Sequence, residues 1–302
     1  MSDTPPVCDY EGSDYRTRFW EQGGRSYEDQ VERIALRKLL PAGGDTLLDV
    51  GAGFGRLAAE YAGYRRVVLL DYSRSLLREA QALLGDDPRF LFVAADWYRM
   101  PFVPGVFDAL VQVRTIHHAA DAPALLAQLA RIIRRDGRYV LEFANKRNLK
   151  AMARYALRRQ TWSPYDPEPV EFVALNFDFH PRWMLAALRS AGFQPDEVRS
   201  VSHFRLALLK RLLPPSLLVR LDQALQPTGR WVALSPSLFV ASAAPASAVT
   251  APRAALFACP SCLTALPDRP SAAALQCPNS ACGLTWSVDN GLYDFKEPRA
   301  AA

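Results

Sequence analysis

Leu47-Leu48-Asp49-Val50-Gly51-Ala52-Gly53-Phe54-Gly55-Arg56 decides the fold of this chain. The apolar run reads as a strand buried on both faces, with Asp49 near its end. Gly51, Gly53 and Gly55 let the backbone turn tightly and let a ligand approach where a Cβ would otherwise stand. Apolar periodicity over 56–61 predicts a helix opening from that turn. Twenty residues after Gly51, a second apolar run, Val67-Val68-Leu69-Leu70, ends in Asp71. A carboxylate at the tip of a second strand is placed to accept both hydroxyls of a ribose. The two strand ends together describe a site for a nucleoside ligand.

Dinucleotide sites share such a turn, and three details argue against one here. The spacing lacks the later glycine that helps seat a pyrophosphate on a helix end. Asp49 would repel a pyrophosphate yet tolerate a cation. A third run, Phe90–Ala94, leads into Ala95-Asp96-Trp97, an acceptor for an adenine amino group with a ring edge beside it. With the fourth run, Asp108–Val113, this ordered set resembles the class I S-adenosylmethionine-dependent methyltransferases of type 11. The resemblance implies that S-adenosyl-L-methionine is held by Asp49, Gly51, Gly53, Gly55, Asp71, Tyr72, Asp96, Trp97, Val113 and Arg114. The competing reading is an ordinary glycine turn in a non-binding α/β domain.

Composition sets wider bounds. A chain of 302 residues, half of them apolar, can bury a substantial core. A formal net charge of +5 does not by itself identify a nucleic-acid binder. Met1-Ser2-Asp3-Thr4-Pro5-Pro6 lacks the basic and apolar regions of a signal peptide, and no uncharged apolar stretch of about 20 residues occurs. The expected compartment is the cytoplasm.

Strict strand–helix alternation from Thr46 to Glu142 predicts a parallel sheet with right-handed crossovers. An amphipathic helix is expected at 27–40, another at 122–133, a strand at 139–143 and a helix at 181–190. The family layout adds a sixth strand near 197–202 and an antiparallel seventh near 231–241. The expected fold class is therefore α/β: a Rossmann-like, seven-stranded, mostly parallel sheet with helical lid insertions and a small C-terminal zinc-ribbon domain. The catalytic domain would span 1–241, a flexible linker 242–254 and the ribbon 255–302.

Two insertions, 145–180 and 204–229, exceed the minimal fold, and substrate identity should reside in them. The first carries Lys146, Arg147, Lys150, Arg154, Arg158 and Arg159, then Trp162, Tyr165, Phe172, Phe177, Phe179 and His180. Such a stretch could hold phosphate and stack a base, or be a solvated helix followed by core aromatics. Leu206–Leu225 is basic and apolar-periodic around Pro214-Pro215, as in a packed lid helix or one lying on a membrane or acyl chain.

Beyond the linker, Cys259-Pro-Ser-Cys262 and Cys277-Pro-Asn-Ser-Ala-Cys282 form two paired-cysteine knuckles. This spacing predicts a tetrahedral Zn²⁺ held by four thiolates, a structural site with no position left for water. A pair of disulfides is the alternative. The surrounding Leu263, Leu266 and Trp286-Ser287-Val288-Asp289-Asn290-Gly291-Leu292 resemble the Trm112-like zinc-ribbon family. That resemblance implies a link to methyltransferases acting on transfer RNA, ribosomal RNA and a release factor. Cys8 stands apart.

Methyl transfer from a sulfonium needs alignment, exclusion of water and, for some acceptors, removal of a proton. His117 and His118, at the end of the fourth strand, are the candidate general bases. Asn145 and Lys146 are expected at the pocket edge, and Arg25 near the methionine carboxylate. The tetrapeptide of nucleic-acid amino methylases is absent here, which favours a small-molecule or lipid acceptor. RNA or a translation protein docked by the ribbon is the alternative, and a non-catalytic scaffold a third reading.

Overall fold

A computed structural model describes residues 5–14, 16–17, 20, 24–252, 256–267 and 274–299. Gly23, the linker's last residues 253–254 and parts of the expected ribbon lie outside them. Four strands form where the apolar runs predict: β1 (Gly44–Val50), β2 (Tyr64–Asp71), β3 (Phe90–Ala94) and β4 (Phe107–Gln112). They pair in parallel in the order β3-β2-β1-β4, with Leu48 opposite Val68 and Leu110. Then come β5 (Ile133–Ala144), the hairpin strands β6 (Val170–Val173) and β7 (Asn176–Asp178), β8 (Gln194–Val201) and β9 (Ser237–Ala243). As expected of the last strand of the core, β9 runs antiparallel to both β5 and β8.

Helices cover both faces, which is why the central strands are apolar on both. On one face α1 (Ser26–Leu39) and α2 (Arg74–Leu84) pack Val31, Leu36 and Leu77 against Leu47, Val67 and Leu69. On the other, α3 (Ala122–Ile132) packs Leu125 and Leu129 against Leu48, Val68 and Leu110. The first insertion forms α4 (Leu149–Ala156) and the β6–β7 hairpin, and α5 (Pro181–Ser190) then returns to the sheet. The second forms α6 (Ala207–Leu212) and α7 (Pro215–Leu225).

The helix expected at 56–61 is instead a single 3₁₀ turn, Ala58–Tyr61. Its hydrogen bond, Glu60 N to Leu57 O, closes over three residues, as do those leading into it from Gly55 N to Ala52 O and from Ala58 N to Gly55 O. Too few residues separate the glycine turn from β2 to nucleate an α-helix.

A larger correction concerns the sheet, which among the described residues has ten strands rather than seven. The cysteine-rich segment contributes β10 (Ala274–Gln276), β11 (Thr285–Asp289) and β12 (Leu292–Arg299), giving the order β10-β11-β12-β3-β2-β1-β4-β5-β9-β8. β12 runs parallel to β3, Tyr293 opposite Val93 and Asp294 opposite Ala94. Phe257, Leu266, Trp286 and Phe295 join the same buried cluster as Phe102, Phe107 and α3. An edge strand presents unpaired backbone groups, and β12 covers those of β3.

The segment expected to be a flexible linker is also packed over its described residues, 242–252. Ala244 N donates to Gly137 O, Ala251 N to Gly105 O, and Arg135 donates to Ala248 O. Small side chains let it lie flat along the domain: Ala244 and Ala248 are buried.

Candidate cofactor and metal sites

The glycine turn follows β1 with Gly51, Gly53 and Gly55 at φ +72°, +55° and +76°. A Cβ at Gly51 would stand 2.4 Å from Thr115 Cγ2, so this glycine leaves room for the Thr115 side chain to pack against the turn. A Cβ at Gly53 would meet nothing within 4 Å, and this residue lines an open cleft. Asp71, at the end of β2, accepts from Gly53 N and Ser73 N, which ties the first strand end to the second. Burial raises its pKa, against the pull of those two N–H groups.

Val7, Cys8 and Tyr10 form a wall of this cleft opposite Asp71, Tyr72, Trp97, Thr115 and His118. Cys8, which nothing in the sequence tied to the site, therefore lies on it. Asp96 is buried beside it, and one of its oxygens caps the following turn at Tyr98 N. The other oxygen lies 3.6 Å from Arg99.

Across the glycine turn, Trp20, Asp49, Arg56, Val113 and Arg114 line the second half of the cleft. Asp49 accepts from Tyr61 Oη at 2.8 Å, and burial raises its carboxyl to about 7. Arg56 lies 3.9 Å over the Trp20 ring, with Arg114 over the same ring at 5.2 Å. Both arginines bind the fully buried Glu32. Burial pushes that carboxyl up, but the two guanidiniums prevail and hold it below the ordinary range. Arg114 has φ +60°, a strained setting for a side chain with a Cβ, and its N–H donates to Glu142. Thr115, Trp20, Arg56 and Glu32 were not assigned from the sequence. Only Arg56, adjoining the glycine turn, carried a local signal.

The two histidines differ. The carbonyl of Leu175 can only accept, so His118 Nδ1 donates to it at 2.9 Å. His118 Nε2 is then the acceptor for Tyr10 Oη at 3.0 Å. Both ring nitrogens are thus used in holding the N-terminal segment and the β6–β7 hairpin, so His118 is no free base. His117 packs on it with ring centroids 4.0 Å apart, and burial, His118 and Arg114 hold its pKa well below 6.5.

Asn145 and Lys146 also serve the frame. Asn145 donates to Ala233 O and Ser235 O, and Lys146 Nζ to Asp166 O and Glu168 O. Arg25 borders a groove beyond the turn, with Arg33 and Phe54, rather than the cleft itself.

The Cys259, Cys262, Cys277 and Cys282 sulfurs all lie within 4.8 Å of one another. Cys259 and Cys282 are 3.8 Å apart, Cys262 and Cys277 3.5 Å. Four thiolates at about 2.3 Å around one tetrahedral ion would sit roughly 3.8 Å apart, so the set fits Zn²⁺. The second knuckle, two residues longer than the first, still closes. On β12, Asp294 pairs with Arg74, Lys296 Nζ lies 3.7 Å over the Tyr72 ring, and Lys296 reaches Asp9 at 3.8 Å. Strand β12 thereby touches residues that flank Asp71.

Residues 48–141 match the model of the methyltransferase domain family. The chain carries a class I S-adenosylmethionine-dependent methyltransferase domain. It is similar to the demethylmenaquinone methyltransferase of Clavibacter sepedonicus, 27% identical over 62% of this chain and 81% of that one. It is also similar to the 27-O-demethylrifamycin SV methyltransferase of Amycolatopsis mediterranei, 29% identical over 43% of this chain and 51% of that one. The chain thus spans most of the first relative's length and about half of the second's. Among solved structures, a chain from a complex containing the Haloferax volcanii Trm112 methyltransferase activator superposes with TM-score 0.55. It covers 76% of this chain and 96% of that one at 18% identity, a likeness of fold. Among the described residues no helix is long and apolar enough to cross a membrane.

Proposed function

We propose that this methyltransferase acts on a small-molecule or lipid acceptor with an apolar body and an acidic or polar group. The supporting observation is a cavity of about 470 Å³ between the two insertions. Leu149, Ala153, Leu157, Leu206, Leu234 and Pro236 line it, and Lys150, Arg154, Arg159 and Arg205 supply its charge. A largely apolar pocket with a few directed charged groups suits an amphiphile.

In this reading Asp71 takes the ribose hydroxyls, Asp49 faces the cofactor's cationic end, and Gly51, Gly53 and Gly55 clear its path. Tyr72, Asp96 and Trp97 border the adenine, and Val113 and Arg114 border the methionine portion. For an acceptor that must lose a proton we assign His117, a neutral imidazole at physiological pH, as the base. Cys259, Cys262, Cys277 and Cys282 hold a structural Zn²⁺. The ribbon braces the sheet in cis, in keeping with the pairing of β12 on β3.

The test uses the full chain, tritiated S-adenosylmethionine and a host-cell extract sorted into RNase-sensitive, protease-sensitive and solvent-extractable label. Label in the extractable pool is expected. Label in RNA or protein overturns the acceptor reading and supports docking by the ribbon.

A further inference from the structure

The outer face of the insertions has a composition that the chemistry of methyl transfer does not call for. None of the residues of α6 is buried, and Leu208 and Leu212 are 65% and 69% exposed. Helix α7 turns Leu218, Val219 and Asp222 inward. That leaves Leu217, Leu221 and Leu225, spaced four apart, on its exposed face. Trp231, 73% exposed, and Val232 come after the 3₁₀ segment Gln226–Arg230. Leu149 and Leu157 of the first insertion are exposed as well, and they meet Leu206 at the cavity wall. Single surface leucines are ordinary, but this many on two successive helices and at the rim of one cavity mark an interaction surface.

Charge narrows the partner. Residues 146–160 and 203–232 together carry eleven Lys and Arg against one acid, Asp222, in a chain whose formal net charge is only +5. The rest of the chain is therefore net acidic. Asp222 is buried and accepts from Tyr27 and His203, so it does not offset the outer charge. Lys150, Arg154, Arg158, Arg159, Arg211 and Arg220 are exposed among the leucines. Leucines and a tryptophan interleaved with unopposed cations make the composition of an interfacial surface on anionic lipid. A single-stranded nucleic acid would instead call for several aromatic platforms, whereas the exposed apolar side chains of α6 and α7 are aliphatic and Trp231 is the one exposed aromatic ring beside them.

We propose that α6, α7 and the 231–232 turn form a docking surface for an anionic lipid bilayer. On such a surface the leucines enter the headgroup boundary while the arginines meet lipid phosphates, and the mouth of the cavity faces the membrane. This surface is independent of which acceptor is methylated: it is read from exposure and charge alone.

The test is flotation of the full chain with vesicles of phosphatidylcholine, with and without about 30% phosphatidylglycerol, at about 0.1 M and 0.5 M salt. Binding is expected only to the anionic vesicles and only at the lower salt. Leu208→Ser with Leu212→Ser, and separately Arg211→Glu with Arg220→Glu, should each lower partitioning about tenfold or more. All four side chains are solvent-facing or half-exposed, so the melting temperature and cofactor affinity of both variants should match the parent. Equal partitioning of parent and variants, no partitioning into anionic vesicles, or retention of an RNA oligonucleotide in place of vesicles would each overturn the proposal.

Discussion

The two ends of the sheet are built on opposite terms. At the β3–β12 end, polar groups close on one another: Arg74 on Asp294, Lys296 over Tyr72, and Glu11 on the first N–H groups of α2. At the β9–β8 end, the inserted helices turn leucines and arginines outward around an apolar cavity. Directional contacts fix positions to fractions of an ångström, whereas apolar area tolerates variety. A cofactor of constant shape suits the first construction, and the acceptor suits the second.

The contrast can be broken most directly at the glycine turn. Gly51→Val places a branched side chain against Thr115 at a positive φ, and should abolish cofactor binding in calorimetry and lower the melting temperature. Undiminished affinity would show that the contact with Thr115 is not tight. Next in size, stripping the metal with a chelator, or Cys277→Ser, should lower the melting temperature by roughly 10 °C, because the brace on β3 loses its fold. Cofactor affinity should fall with it, since β12 carries Asp294 and Lys296. An unchanged melting curve would make the ribbon an appendage.

Asp71→Ala should weaken cofactor binding by about a hundredfold, through the lost charge-assisted hydrogen bonds to the ribose. Unchanged affinity would refute the ribose assignment. A smaller effect follows from Asp49, whose carboxyl stays protonated up to about 7 in the fold. Unfolded, it would ionise near 3.8, so raising the pH through this window costs apo stability, and the cost levels off above 7. A cationic ligand favours the ionised form, so affinity should rise about tenfold from pH 6 to pH 8 and go flat in Asp49→Asn. Smallest is Lys296→Met, which removes the cation over Tyr72 and should raise the cofactor Kd about fivefold. At the far end of the sheet, Leu221→Ser should leave that Kd unchanged.

Much of the cofactor half was legible because its signals are local. Leu47–Val50 and Val67–Leu70 could only be strands buried on both faces, and the acids at their ends follow from strand direction. The short turn after Gly55 was misread as a helix because periodicity over six residues cannot report how little chain remains before the next strand. His118 was a candidate base from its residue type and its place at the end of the fourth strand. Its partners Tyr10 and Leu175 lie 108 and 57 residues away, beyond any spacing argument.

The sequence by itself determined that a parallel α/β sheet ends in a glycine turn with acids at adjacent strand tips, and that four cysteines stand at ligand spacing. Those properties are written in periods of a few residues and in side-chain chemistry. Only the tertiary structure decided that the cysteine segment extends the sheet on β3, that Glu32 joins Arg56 to Arg114, and that the insertions enclose a cavity. Each depends on which surfaces meet once the core is buried. Pairing across two hundred residues is selected by the fit of an exposed edge and an apolar face, which no local pattern encodes.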